Sequence, residues 1–136
     1  MTDEDLRQLL TDSKVIAVVG LSANPDRASN QVAWYLHHQG YRLFGVNPAS
    51  KEPEVFAVPM VATLEEVPEP IDIVDVFRRP EHTPEVAREA VAVGAKALWL
   101  QLGLVSPEAR AIAERTGMEY VENECTAIVH AGSRAV

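Results

Sequence analysis

Val15-Ile16-Ala17-Val18-Val19 is an unbroken apolar run, mostly β-branched, and it ends in a glycine, Gly20. A strand with one wet face would alternate apolar and polar residues. A run without alternation predicts a strand covered on both faces, as in a parallel sheet. Gly20 to Ala28 is rich in turn formers, and Ser29 is placed to cap a helix through His38 that Gly40 closes. Apolar stretches at Arg42 to Val46, Val58 to Val61, Ile71 to Phe77, Lys96 to Leu102 and Met118 to Val121 predict further strands. Helices are predicted from Asp3 to Asp12 behind Thr2, from Thr83-Pro84-Glu85 to Gly94, and from Ser106-Pro107-Glu108 to Gly117. The last two open with a capping hydroxyl followed by proline, which suits the first helical turn. Pro53, Pro59 and Pro68 break up the stretch from Lys51 to Glu69, with a helical turn near Leu64, and a short tail follows Val121. Strand and helix alternate throughout. That predicts an α/β chain, a Rossmann-like doubly wound, mostly parallel sheet of five to six strands with helices on both faces. The 136 residues suit one domain, 1–136.

Composition removes several classes of function. The chain carries 20 acidic residues against 12 Lys and Arg, a net charge of −8. A duplex nucleic-acid binder draws its affinity from neutralising phosphates, so nucleic acid is excluded as an expected partner. No apolar run approaches the ~18–20 residues of a membrane span. The acidic start, Met1-Thr2-Asp3-Glu4-Asp5, is not that of a secretory signal. The single cysteine, Cys125, leaves no internal disulfide and no cysteine metal cluster. These features together predict a cytoplasmic protein.

Catalytic and metal motifs are not found. His37 and His38 are adjacent and point apart on a helix, and His82 and His130 are isolated. Cys125 follows Glu122-Asn123-Glu124, surroundings that do not favour a thiolate. Asp72 and Asp75, three apart on a strand, face opposite sides and form no acid/base pair.

In doubly wound sheets, ligands sit outside the carboxyl ends of the strands, where the chain order reverses. Four loops are placed there. In the first, Gly20 lets the backbone approach a ligand, the following helix start offers N–H groups, and Ser22, Asn24, Arg27 and Ser29 add side-chain donors. It lacks both the G-x-G-x-x-G pattern and the G-K-[ST] ending of a P-loop. An ordinary strand-to-helix turn with a capping serine is the competing reading. Val46-Asn47-Pro48, with Lys51 beyond, ends the second strand. An NAD site has an acid at this tip to hold the ribose. Asn47 and the nearby Lys51 instead suit a phosphorylated ribose. Phe77-Arg78-Arg79 ends a third strand, and Trp99-Leu100-Gln101-Leu102-Gly103 a fourth. Gln101 either touches a ligand or satisfies a neighbouring backbone group.

These residues resemble the small stand-alone CoA-binding domain proteins. The resemblance rests on Val18-Val19-Gly20-Leu21-Ser22-x-Asn24-Pro25-x-Arg27-x-Ser29, Val46-Asn47-Pro48, Asp72 to Glu81, Gly94-Ala95-Lys96-x-x-Trp99-x-Gln101-x-Gly103 and Glu124-Cys125. It runs from about Ser13 to Cys125. The same fold forms the nucleotide-binding part of the succinyl-CoA synthetase α subunit. The resemblance implies coenzyme A as ligand. The loop from Gly20 to Asn30, with Leu21, would hold its phosphates. Asn47, Pro48 and Lys51 would lie by the adenosine, and Phe77, Arg78, Gln101 and Gly103 would line the rest of the cleft. The synthetase keeps its phosphorylated histidine and ligase machinery in other domains and a partner subunit. The resemblance therefore implies binding of CoA or an acyl-CoA rather than catalysis. An NAD(P)-dependent oxidoreductase or a subunit of an acyl-CoA ligase is the alternative.

Overall fold

The computed structural model describes residues 1–132. Its centre is β1 (Val15–Val19), hydrogen-bonded in parallel to β2 (Arg42–Val46) on one side and to β5 (Ile73–Val76) on the other. The sheet continues outward through β4 (Val58–Val61) beyond β2, and through β6 (Ala97–Leu100) and β7 (Glu119–Val121) beyond β5. A two-residue antiparallel strand, β3 (Glu54–Val55), finishes the β4 edge. The full order is β3-β4-β2-β1-β5-β6-β7, so the winding reverses between β1 and β5.

Seven strands stand where five to six were predicted, and the addition is β3. Its hairpin has no glycine or asparagine to announce it. Instead Phe56 (φ 35°) and Ala57 (φ 70°) both adopt the left-handed backbone that a two-residue hairpin demands. Such strain persists only where packing holds it. Here the Phe56 ring sits edge-on to Trp34, 5.5 Å between centroids.

Residues alternate strictly between the two faces of the central strands. Ala17, Val19, Val74, Val76, Leu98 and Leu100 pack against α3 (Thr83–Ala92) and α4 (Pro107–Thr116). Ile16, Val18, Ile73 and Trp99 pack against α1 (Asp3–Asp12) and α2 (Ala28–His38). These side chains are buried, and each Val, Leu and Ile among them contributes about 1.5–3 kcal/mol by leaving water. Asp75 breaks the apolar pattern on the second face.

The helix boundaries follow the capping chemistry with two corrections. Thr2 and Asp5 close a reciprocal capping box on α1, and the Ser106 hydroxyl accepts from Ala109 N on α4. Ser29, expected as the cap of α2, lies inside its first turn; Arg27 occupies the cap position, and the Ser29 hydroxyl is turned back to the loop. Thr83 likewise begins α3 rather than capping it, because a short 3₁₀ turn, Pro80–His82, leads in. The predicted tail contains a helix, α5 (Thr126–Gly132), docked against α1 and α2. Its seven residues lack a strong starting signal. Long-range bonds place it: the Trp99 indole donates to Glu124 O, and the Thr126 hydroxyl to Asp75. Among the described residues no helix is long and apolar enough to cross a membrane.

Candidate functional site

Gly20 stitches the strand tips at the reversal point. Its N–H donates to Val46 O, and Phe77 N donates to Val19 O, both at 2.8 Å. Gly20 has φ +92°, and a Cβ added there would fall 2.2 Å from Phe77 O. Only glycine holds this corner.

The loop that follows uses most of its polar side chains to accept from its own backbone. The Ser29 hydroxyl accepts from Ser22 N, the Ser22 hydroxyl from Asn24 N, and Asn24 Oδ1 from Asp26 N. Asn30 Nδ2 donates to Ser22 O. Asn47 ties the loop to the β2 tip through Nδ2 to Leu21 O at 3.1 Å. Leu21 is fully buried beneath. Among the described residues, the N–H groups of the exposed Ala23 and Ala28 meet no protein acceptor. Ala28 begins α2, where the helix dipole adds positive potential.

A cavity of about 790 Å³ lies over these tips. It brings together Gly20, Arg27, Asn47, Phe77, Arg78, Gln101 and Gly103 from the predicted set. Ser22, Asn24, Ser29 and Asn30 do not line it; they build the loop that carries Arg27. Lys51 is exposed and outside its walls, and Pro48 lines a neighbouring crevice of about 180 Å³ between Val46 and α3. Arg78 and His82 line both spaces, and Arg79, Leu102 and Leu104 complete the larger one. His82 had looked isolated in sequence; the 3₁₀ turn after the Arg78-Arg79 tip carries it to the rim.

Among the described residues no acid lines the larger cavity, and Arg27, Arg78 and Arg79 form no ion pair. Acids gather instead in the crevice, where Glu85 and Glu89 stand opposite Arg78. Burial raises the Glu89 carboxyl above its usual range, the Glu85 charge adds to this, and Arg78 opposes it. A chain of net charge −8 thus keeps three guanidinium groups outside any ion pair at its topological switch point, with Arg78 partly balanced from the crevice side by Glu85 and Glu89. Gln101 is committed inward: its Nε2 donates to Asp75 Oδ1 and Thr126 Oγ1. Among the described residues no group of His, Cys, Asp and Glu is arranged to hold a metal ion.

The family model described as CoA binding domain matches residues 14–131. The chain belongs to this family. A relative in Bacillus subtilis (strain 168), the uncharacterized protein YneT, is 40% identical over 127 residues, 93% of each chain. Among solved structures, a Thermus thermophilus protein designated cell-free ID.343 superposes with a TM-score of 0.92 at 36% identity, covering 97% of this chain and 98% of that one. A hypothetical protein from Pyrococcus horikoshii OT3 gives 0.92 at 37% identity, covering 97% and 92%. The family carries coenzyme A binding in general, and its fold is the doubly wound sheet described above. The residues gathered at the tips fit such a ligand: charged forks and open amides suit a diphosphate, and the absence of an acid at Asn47 leaves room for a phosphorylated ribose.

Proposed function

We propose that the chain binds coenzyme A, or an acyl-CoA, across the carboxyl ends of β1, β2, β5 and β6. The observation that carries this reading is the cluster of Arg27, Arg78 and Arg79 in one cavity at the strand tips, with no acid among its described lining residues. The diphosphate lies over the loop from Gly20 to Ser29. Adenine enters the crevice beside Pro48, whose floor is Val19, Val46 and Val86. Lys51, on its flexible stem, reaches the ribose phosphate. The remaining arm passes Phe77 and Arg78 toward Gln101 and Gly103. Charge-assisted hydrogen bonds of this kind contribute roughly 1.5–3 kcal/mol each.

The site is a binding site without chemistry of its own. Its walls offer fixed cations and amides, which bind and orient an anion, and Cys125 is not among its lining residues. A reducing compartment such as the cytoplasm suits both this free thiol and a thiol-bearing ligand.

Calorimetric titration with CoA, dephospho-CoA and NADP is the direct test. CoA binds tightest, and dephospho-CoA is weaker by the loss of the ribose phosphate. Absence of heat at millimolar CoA overturns the reading, and a preference for NADP moves it to the oxidoreductase alternative.

A further inference from the structure

Asp75 is fully buried on a face otherwise lined by apolar strand residues, with Val18 and Trp99 as its neighbours in register. A buried carboxylate is costly, and packing alone would be served as well by an apolar residue. Its partners suggest what it is for. Gln101 Nε2 donates to Asp75 Oδ1 at 2.5 Å and to Thr126 Oγ1 at 2.9 Å, and the Thr126 hydroxyl donates to Asp75 Oδ2 at 3.1 Å. An ionised carboxylate only accepts, and an amide nitrogen has two hydrogens to give. The triangle therefore uses both hydrogens and admits the Gln101 amide in one orientation. Among the described residues no donor reaches Gln101 Oε1, yet no fully buried side-chain polar atom lacks a partner. Oε1 is thus the amide atom that meets solvent, and Gln101 lines the larger cavity.

We propose that Asp75 and Thr126 are positioning residues that lock the Gln101 amide, so that the cavity wall at the tip of β6 presents a carbonyl acceptor selective for a ligand arm carrying an N–H, O–H or S–H donor. This rests on the CoA reading, in which that arm is pantetheine, with its amide N–H groups and thiol. The lock has a second property. Burial pushes the Asp75 carboxyl up to about 7, against the opposing hydrogen bonds from Gln101 and Thr126. Once protonated, Asp75 becomes a donor and favours the turned amide, which shows N–H to the cavity. On the packed elements the other titratable or charged groups are Arg7 and the acids of α1, Tyr35, His37 and His38 of α2, Tyr41 before β2, and Glu124, Cys125 and His130 around α5. None of them forms a hydrogen bond or ion pair with Asp75.

The test titrates the full chain with CoA and with adenosine 3′,5′-bisphosphate, which lacks the arm, at about pH 6 and about pH 8, either side of the histidine range. Asp75→Asn lowers the ratio of CoA to bisphosphate affinity about fivefold, one net hydrogen bond. In the wild type this ratio rises with pH, and in Asp75→Asn it is flat. The ligand phosphates titrate with both proteins, so the difference isolates Asp75. Thr126→Val, nearly isosteric, frees one of the two amide hydrogens and lowers the ratio about two- to threefold; it serves alone if Asp75→Asn does not fold. Unchanged ratios in folded variants, or a wild-type ratio that ignores pH, overturn the inference. A wild type that binds CoA no better than the bisphosphate overturns it too, while leaving nucleotide binding intact. A wild type that binds neither ligand overturns the CoA reading itself.

Discussion

At the amino ends of the strands, Asp72 accepts from Lys14 N and Val15 N and pairs with Lys96 at 3.2 Å, and Arg42 pairs with Glu69. At the carboxyl ends, Arg27, Arg78 and Arg79 line a cavity with no acid among its walls. Cations occur at both edges, but they do different work. Exposed pairs at the amino edge contribute about 0–1 kcal/mol each, a modest reinforcement of local geometry. Positive charge held outside ion pairs in a concave site raises the local concentration of anions and speeds their arrival. A net charge of −8 over the whole chain conceals this division.

The sharpest way to probe the division is at its glycines. Gly20→Ala forces a left-handed backbone onto a residue whose Cβ would collide with Phe77 O. The expected loss is at least about 3 kcal/mol in urea denaturation. Gly117→Ala, at the end of α4 with φ +77° and open space around it, costs about 1 kcal/mol. Equal losses would show that the carboxyl-edge corner is not specially constrained. Next in size, Arg78→Ala lowers CoA affinity about tenfold to a hundredfold and leaves the Tm of the free protein nearly unchanged. Lys96→Met costs under about 1 kcal/mol of stability and leaves CoA affinity alone. A matching loss of affinity in Lys96→Met would erase the distinction between the edges.

Asp72 and Asp75 sharpen the comparison within one short stretch, because their titrations have opposite signs. Burial pushes Asp72 up, but hydrogen bonds from Val15, Lys14 and Lys96 outweigh it and hold the carboxyl below its usual range. Its stabilising contribution is present at neutral pH and lost as acid protonates it. Asp75 is raised to about 7, chiefly by burial. Its contribution is full below the ordinary carboxylate range of about 4 and is lost as pH rises through about 7. Denaturation midpoints between about pH 4 and 8 should therefore show Asp72→Asn losing most stability at neutral pH and Asp75→Asn gaining relative to the wild type there. Parallel profiles for the two variants would refute the assignment. Ser29→Ala is expected to cost about 1 kcal/mol in urea denaturation, because its hydroxyl satisfies Ser22 N within the loop.

Much of this was legible in the sequence because local chemistry determines it. Unalternating runs marked the central strands, and Thr2 and Ser106 marked helix starts that tertiary contacts did not shift. Placing Gly20, Arg27, Asn47, Arg78 and Gln101 at one edge required only the winding rule. What escaped depends on distant partners. The role of the Ser29 hydroxyl is set by Ser22, seven residues away, and that of Gln101 by Asp75 and Thr126. β3 forms through packing of Phe56 on Trp34 rather than through turn residues, and α5 through bonds from other elements. His82 joins the cavity through a 3₁₀ turn whose direction no pattern of polarity encodes.

The Phe56–Ala57 hairpin has a bearing on solubility. It ends the sheet in a strand of only two residues, flanked by Pro53 and facing Pro59 in its partner. The opposite border, β7, is three residues long. Both margins are too short to template an incoming strand, and the prolines at β3 remove amide hydrogens there, so the sheet resists growth by fibril-like addition.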